Sequence, residues 1–183
     1  MEQKTIIRFM SGVDEQSARN FINIVENELK NGVRLFRVLI SSPGGYVDPG
    51  ISIFNYLKGI PANIETVNFG SVDSISTIIF CAGTKRISVP NARFIIHDIF
   101  RITPPQSVNL SEIQLEEWLN SLRIDRRNIA KIIAETTKKK VEEIEDLMRK
   151  GKVLNPVEAQ EIGLVNEISQ NIIQEGLKII SIN

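Results

Sequence analysis

Several things are scarce in this sequence. Its 183 residues include one cysteine, Cys81, and one histidine, His97. A lone cysteine cannot close an internal disulfide or build a cysteine zinc cage, and a single imidazole excludes a His-rich metal site. No metal or other cofactor is expected, and a reducing, cytoplasmic setting fits. Charge of one sign is not in excess, because 22 Lys and Arg stand against 22 Asp and Glu. Without a basic surplus there is no global footprint for phosphate backbones or anionic lipid, so neither nucleic acid nor a membrane is an expected partner. No apolar run reaches about 18 residues, and Met1-Glu2-Gln3-Lys4 does not lead into a signal peptide's apolar core. With 42% hydrophobic residues, one domain over 1–183 can bury a substantial core.

What is there alternates between two periodicities. Residues 4–9 are short and rich in Ile, and Asp14 then opens a helical stripe of Ala18, Phe21, Ile22, Val25 and Leu29 that closes at Asn31-Gly32. The aliphatic run 34–41 reads as a buried strand that ends in Ser42-Pro43-Gly44-Gly45, where a helix cannot continue. Asp48-Pro49 predicts an N-cap and first-turn proline for a helix closing at Gly59. Residues 64–69 alternate like a strand, and beyond Gly70 a sharp turn leads to a buried helix ending near Ala82-Gly83. Two further runs, 86–89 and 93–96, flank the turn at Pro90-Asn91. After His97 the prolines at 104 and 105 break the chain, and a capping box at Ser111 and Gln114 predicts a long helix to about Glu135. Lys138-Lys139-Lys140 reads as a solvated break. Short helices are expected over 141–148 and 156–162, a strand over 164–168, and a C-terminal helix or tail over 170–183. Strands alternating with helices predict an α/β fold with mostly parallel strands and a helical arm over about 100–136.

Three features could carry chemistry. Gly44-Gly45 at a strand end is either a plain tight turn or a place where backbone approaches substrate and offers an N–H to a developing oxyanion. Ser74, near a strand-to-helix turn, is either an N-cap or an exposed nucleophile with the N–H of Ile75 beside it. His97 is either a satisfied polar residue at a strand end or a general base, since an imidazole titrates near neutrality and can take a hydroxyl proton. Spacing alone takes this no further than a Ser/His hydrolase as one reading among these.

Read together, Ile40-Ser41-Ser42-Pro43-Gly44-Gly45, Gly50, Ile53-Phe54, Gly70-Ser71-Val72-Asp73-Ser74-Ile75, Ala82-Gly83, Pro90-Asn91-Ala92-Arg93 and Ile96-His97 resemble the Clp protease proteolytic subunit (ClpP) family. Asn155-Pro156-Val157-Glu158-Ala159 and Ile162-Gly163-Leu164-Val165 resemble its closing segment. The resemblance implies a ClpP/crotonase-like fold of repeated ββα-type units with a protruding helical handle. It implies a serine-type endopeptidase acting on peptides or unfolded protein, with Ser74 as nucleophile, His97 as base, and Gly45 and Ile75 as oxyanion donors. It also implies a homo-oligomer of ring type, joined through the helix after His97. The apolar face of that helix, with Trp118 and Leu122, independently suggests self-association.

Four departures qualify what is carried over. Aligned through Leu154 and Gly163-Leu164, the third member of the triad falls on Gly151, which has no acid to offer. Asp146, Glu145 and Asp98 are the candidates to replace it. Asp73 puts a carboxylate beside the nucleophile, where it would oppose an oxyanion if it pointed inward. Phe100-Arg101-Ile102-Thr103-Pro104-Pro105 replaces the family's Gly-rich substrate-holding strand. The chain begins almost at its first strand, so an ATPase unfoldase partner is not carried over. Two other functions therefore stand beside the peptidase: a catalytically weak or inactive ring subunit with a structural or regulatory role, and an acyl-CoA enzyme of the crotonase branch, against which Ser74 and His97 argue.

Overall fold

The computed structural model describes residues 4–100, 111–173 and 177–182. The chain opens with β1 (Lys4–Phe9), α1 (Glu15–Lys30) and β2 (Leu35–Ser42). Helix α1 starts where expected: Asp14 and Ser17 cap each other reciprocally, which is worth about 1 kcal/mol. Next come α2 (Val47–Gly59), β3 (Asn63–Asp73), α3 (Ser76–Cys81), β4 (Lys85–Ser88) and β5 (Arg93–Ile96). The second half holds α4 (Glu112–Thr137), α5 (Val141–Lys150), β6 (Lys152–Leu154), α6 (Pro156–Glu161), β7 (Glu167–Ile168) and β8 (Lys178–Ile182).

The strands form one sheet in the order β6-β5-β3-β2-β1-β8, with β4 also on β3 and β7 on β4. Every pair is parallel except β5–β6. Strand β3 is the fork, because residues 65–68 pair with β4 and residues 71–73 with β5. The gap between these stretches needs Gly70, where a Cβ would sit 2.6 Å from Ser41 Oγ. Asn68, fully buried, bridges the fork by donating to the Arg93 carbonyl and accepting from the Gly70 N–H. The larger core cluster contains Phe9, Phe21, Phe36, Phe80 and Phe94, all inaccessible to solvent. On the other face Ile6, Leu39, Val67 and Ile87 form a smaller cluster, as alternation along a strand requires.

Four expectations need correction. Residues 178–182 are a strand, β8, in parallel register with β1, where a C-terminal helix or tail was expected. The Ile-rich stretch finds backbone partners on β1, and Lys178 pairs with the buried Glu28 at 2.5 Å. Strand β3 runs four residues past Phe69, carrying the chain to Asp73. Helix α2 begins at Val47 with Tyr46 at its cap and no side-chain capping bond, so Asp48 lies inside the first turn. Of the strand expected over 164–168 only Glu167–Ile168 forms, as β7, and strand β6 has no sequence precedent because three residues are too few to show a period.

Candidate active site

Ser74 follows the last residue of β3 and precedes α3. Its φ of +58° puts it in the left-handed region, which costs a non-glycine residue about 1–3 kcal/mol. The N-cap alternative does not hold, because the cap position of α3 is Ile75 and no side chain bonds there. The strain is held by neighbours. Ser74 N–H donates to the Ile95 carbonyl at 2.8 Å, and Thr77 N–H donates back to the Ser74 carbonyl. Gly44 packs directly on the turn, since a Cβ there would lie 2.7 Å from Ser74 Cβ and 2.6 Å from the Asp73 carbonyl oxygen. A serine on a strained strand-to-helix turn presents its Oγ outward, the geometry of a nucleophile elbow.

The Gly-Gly loop is pinned beside it. Val13 N–H donates to the Gly44 carbonyl and Tyr46 N–H donates to the Val13 carbonyl, both at 2.8 Å. A Cβ on Gly45 would stand 2.2 Å from the Val13 carbonyl oxygen, so only glycine fits. Neither the Gly45 nor the Ile75 N–H is engaged in a hydrogen bond among the described residues, which leaves two donors beside Ser74.

His97 comes directly after β5. Ser74 and His97 line one cleft together with Gly44, Gly45, Tyr46, Phe100 and, from α4, Trp118 and Leu122. A small apolar cavity of about 20 Å³ beneath both is walled by Ile75, Ile129, Ile133 and Met148. Among the described residues the Ser74 hydroxyl and the His97 ring share no hydrogen bond, and such contacts commonly tighten only when substrate is bound. The imidazole stacks on Phe100, with centroids 6.1 Å apart and planes 24° apart.

What lies opposite His97 follows from register. Strands β5 and β6 pair Ile95 with Val153 and Ile96 with Lys152, so the next step sets Gly151 opposite His97. Gly151 closes α5 at φ +66°, and apart from its own neighbours along the chain no atom lies within 4 Å of where its Cβ would be. None of the three substitute acids directs its carboxylate at His97. Asp146 pairs with Arg149 and Lys150, and Glu145 with Arg127 and Arg149. The Asp98 carboxylate is bound by Arg126, at 2.7 and 2.9 Å. Its main-chain carbonyl, in contrast, lies 2.6 Å from His97 Nδ1. Burial, the largest influence on the Asp98 carboxyl, pushes its pKa up, but hydrogen bonds from Arg126 and the Ile99 N–H with the Arg126 charge hold it below the usual range.

Asp73 is turned away from the Gly45 and Ile75 N–H groups. Val72 and Phe94 belong to the larger core cluster, so Asp73 falls on the opposite face of the sheet, where Arg93 Nη2 donates to it at 3.0 Å. Of the segment at 100–105 only Phe100 lies within the described residues. Sequence reasoning missed Arg126 and the role of Gly44 against Ser74. A cation in the polar stripe of a long helix carries no mark that its partner sits beside a histidine.

Among the described residues no group of three or more His, Cys, Asp or Glu could hold a metal ion, and no helix is long and apolar enough to cross a membrane. The model of the Clp protease family matches residues 1–172. The chain belongs to the Clp protease family. It is 30% identical over 141 residues to the ATP-dependent Clp protease proteolytic subunit 4, chloroplastic, of Arabidopsis thaliana, a match covering 76% of this chain and 46% of that protein. The chain thus spans about half the length of that relative. A mutant ClpP1 from Listeria monocytogenes superposes with a TM-score of 0.79 at 26% identity, covering 91% of each chain. The fold is therefore that of ClpP, as the resemblance implied.

Proposed function

We propose that this protein is a ClpP-like serine endopeptidase that cleaves peptides or unfolded protein through an acyl-enzyme on Ser74. The observation that carries the reading is the strained Ser74 turn set beside two unengaged backbone donors in a cleft shared with His97. In this mechanism Ser74 Oγ attacks the scissile carbonyl while His97 Nε2 takes its proton. The N–H groups of Gly45 and Ile75 receive the developing oxyanion. His97 then gives the proton to the departing amine, and water attacks the ester with His97 again as base, releasing the acid and restoring Ser74.

Self-association belongs to the same proposal. Ile113, Leu115, Leu119 and Ile124 on α4 are exposed by roughly half or more, which suits a helix that meets other copies of the chain in a ring. Sedimentation at high micromolar concentration should give a species larger than a dimer, and a clean monomer would remove this part of the reading. An ATPase partner and a cytoplasmic setting are not needed for it.

A second reading is favoured by one observation: Gly151 leaves the place opposite His97 without an acid. Loss of the acid from other triads costs about four orders of magnitude in kcat, so a structural or regulatory ring subunit is the competing role. A fluorophosphonate probe near pH 7.5, with the adduct located by mass spectrometry, separates the two. Labelling confined to Ser74 and lost in Ser74→Ala and His97→Ala is the expected result. No labelling of the assembled wild-type protein would give precedence to the structural role.

A further inference from the structure

The position opposite His97 has no side chain, yet the imidazole has an orienting partner. A carbonyl oxygen can only accept, so at 2.6 Å from the Asp98 carbonyl His97 Nδ1 is the donor, and in the neutral ring Nε2 then keeps the lone pair that a general base needs. Two contacts on the Asp98 carboxylate fix that carbonyl indirectly. Arg126 grips the Asp98 carboxylate through Nε and Nη2 at 2.7 and 2.9 Å, a planar fork that fixes orientation as well as distance. The Ile99 N–H donates to the same carboxylate at 2.8 Å. Because the Asp98 carbonyl and the Ile99 amide are two ends of one rigid peptide unit, pinning the amide also aims the carbonyl.

We propose that Arg126 and Asp98 are the positioning pair for His97: a charged clamp from α4 aims a neutral backbone acceptor and holds the imidazole in its Nε2-basic tautomer where no acid stands at position 151. Its catalytic consequence rests on the peptidase reading, but the tautomer itself does not. A neutral acceptor orients the ring as a carboxylate would, while stabilising the imidazolium much less. The arrangement therefore gives a correctly aimed but slow base, and it makes His97 answer to the placement of α4. A lysine at position 126 keeps the charge and loses the fork, so Arg126→Lys separates aim from attraction.

His97 is the only histidine, so ring-labelled [15N]histidine yields one set of imidazole signals from the full-length protein. With the ring neutral, the Nδ1–H form should dominate in the wild type and in Ser74→Ala. Arg126→Gln should shift the population toward the Nε2–H form, with Arg126→Lys in between. The rate of fluorophosphonate labelling supplies the second readout. Arg126→Gln should slow it about tenfold, a part of the 10²–10⁴ that a general base contributes. In a Gly151→Asp background the same change should cost less than about twofold, because the new carboxylate takes over Nδ1 and makes the clamp redundant. A merely structural Arg126 would lower both backgrounds equally; that result, where Gly151→Asp itself labels faster than the wild type, or an unchanged tautomer in Arg126→Gln, overturns the proposal. An Arg126-dependent tautomer in a wild-type protein that never labels would uphold the positioning pair and remove the peptidase reading instead.

Discussion

The two walls of the cleft are built to different standards. On one side, Ser74 is locked by backbone bonds in both directions, and the Gly44-Gly45 loop closes on it with no room for a methyl group. Gly50 adds to this, since a Cβ there would sit 2.4 Å from Ile75 Cγ1. On the other, His97 is held by one backbone acceptor, one aromatic neighbour and a partly exposed ion pair. The difference teaches where such a site can change without unfolding. The Ser74 turn is tied into the sheet and cannot be altered without disturbing the core, whereas position 151 is an open helix end that tolerates a glycine.

The largest effect should come from damage to the tight wall. Gly44→Ala pushes a methyl group into Ser74 Cβ at a backbone φ of +84°, combining overpacking with left-handed strain. A loss of about 2–4 kcal/mol in denaturant unfolding is expected, together with loss of Ser74 labelling. A stable, labelled Gly44→Ala protein would mean that the elbow is looser than its contacts indicate. Ser74→Gly should act in the opposite direction on stability: it relieves the φ of +58° and is expected to stabilise by about 1 kcal/mol while abolishing labelling. A destabilised Ser74→Gly would show that the turn is not strained. Gly151→Asp, on the loose wall, should fold as the wild type does, because the position is open and aspartate tolerates left-handed backbone. Its labelling should be faster than wild type, and no gain would mean that the carboxylate fails to reach Nδ1.

Most of the fold was legible because its signals are local. The start of α1 at Asp14 and the capping box of Ser111 and Gln114 are written in residue types at local spacing, and both appear where expected. Ser74, His97 and the Gly-Gly loop were legible as motifs, and their meeting in one cleft follows from parallel strands that end on the same edge. What escaped were features made only by tertiary pairing. Strand β8 exists because β1 offers an edge, and the fork in β3 depends on Asn68 bridging two neighbours that the chain reaches later. The orienting acceptor of His97 escaped for a related reason. Every candidate was sought among carboxylates, whereas the contact is made by a carbonyl, which any residue would carry.

The smallest effect concerns how the two walls respond to acid. The Asp98 carboxyl has its folded pKa held below the unfolded value of about 3.9, so its pairing contributes fully above that value and is lost as pH falls through the folded one. Both side chains of the clamp are close to a third exposed, at 28% and 32%, so the contribution stays under about 1 kcal/mol. Its local signature should nevertheless be clear. The Ile99 N–H donates to the Asp98 carboxylate, whereas the Ser74 N–H donates to a carbonyl that does not titrate. Below about pH 4, amide exchange corrected for its intrinsic rate should therefore quicken at Ile99 and leave Ser74 protected. Equal loosening at both amides would mean that the walls open as one unit, and the asymmetry between them would then be a matter of packing alone.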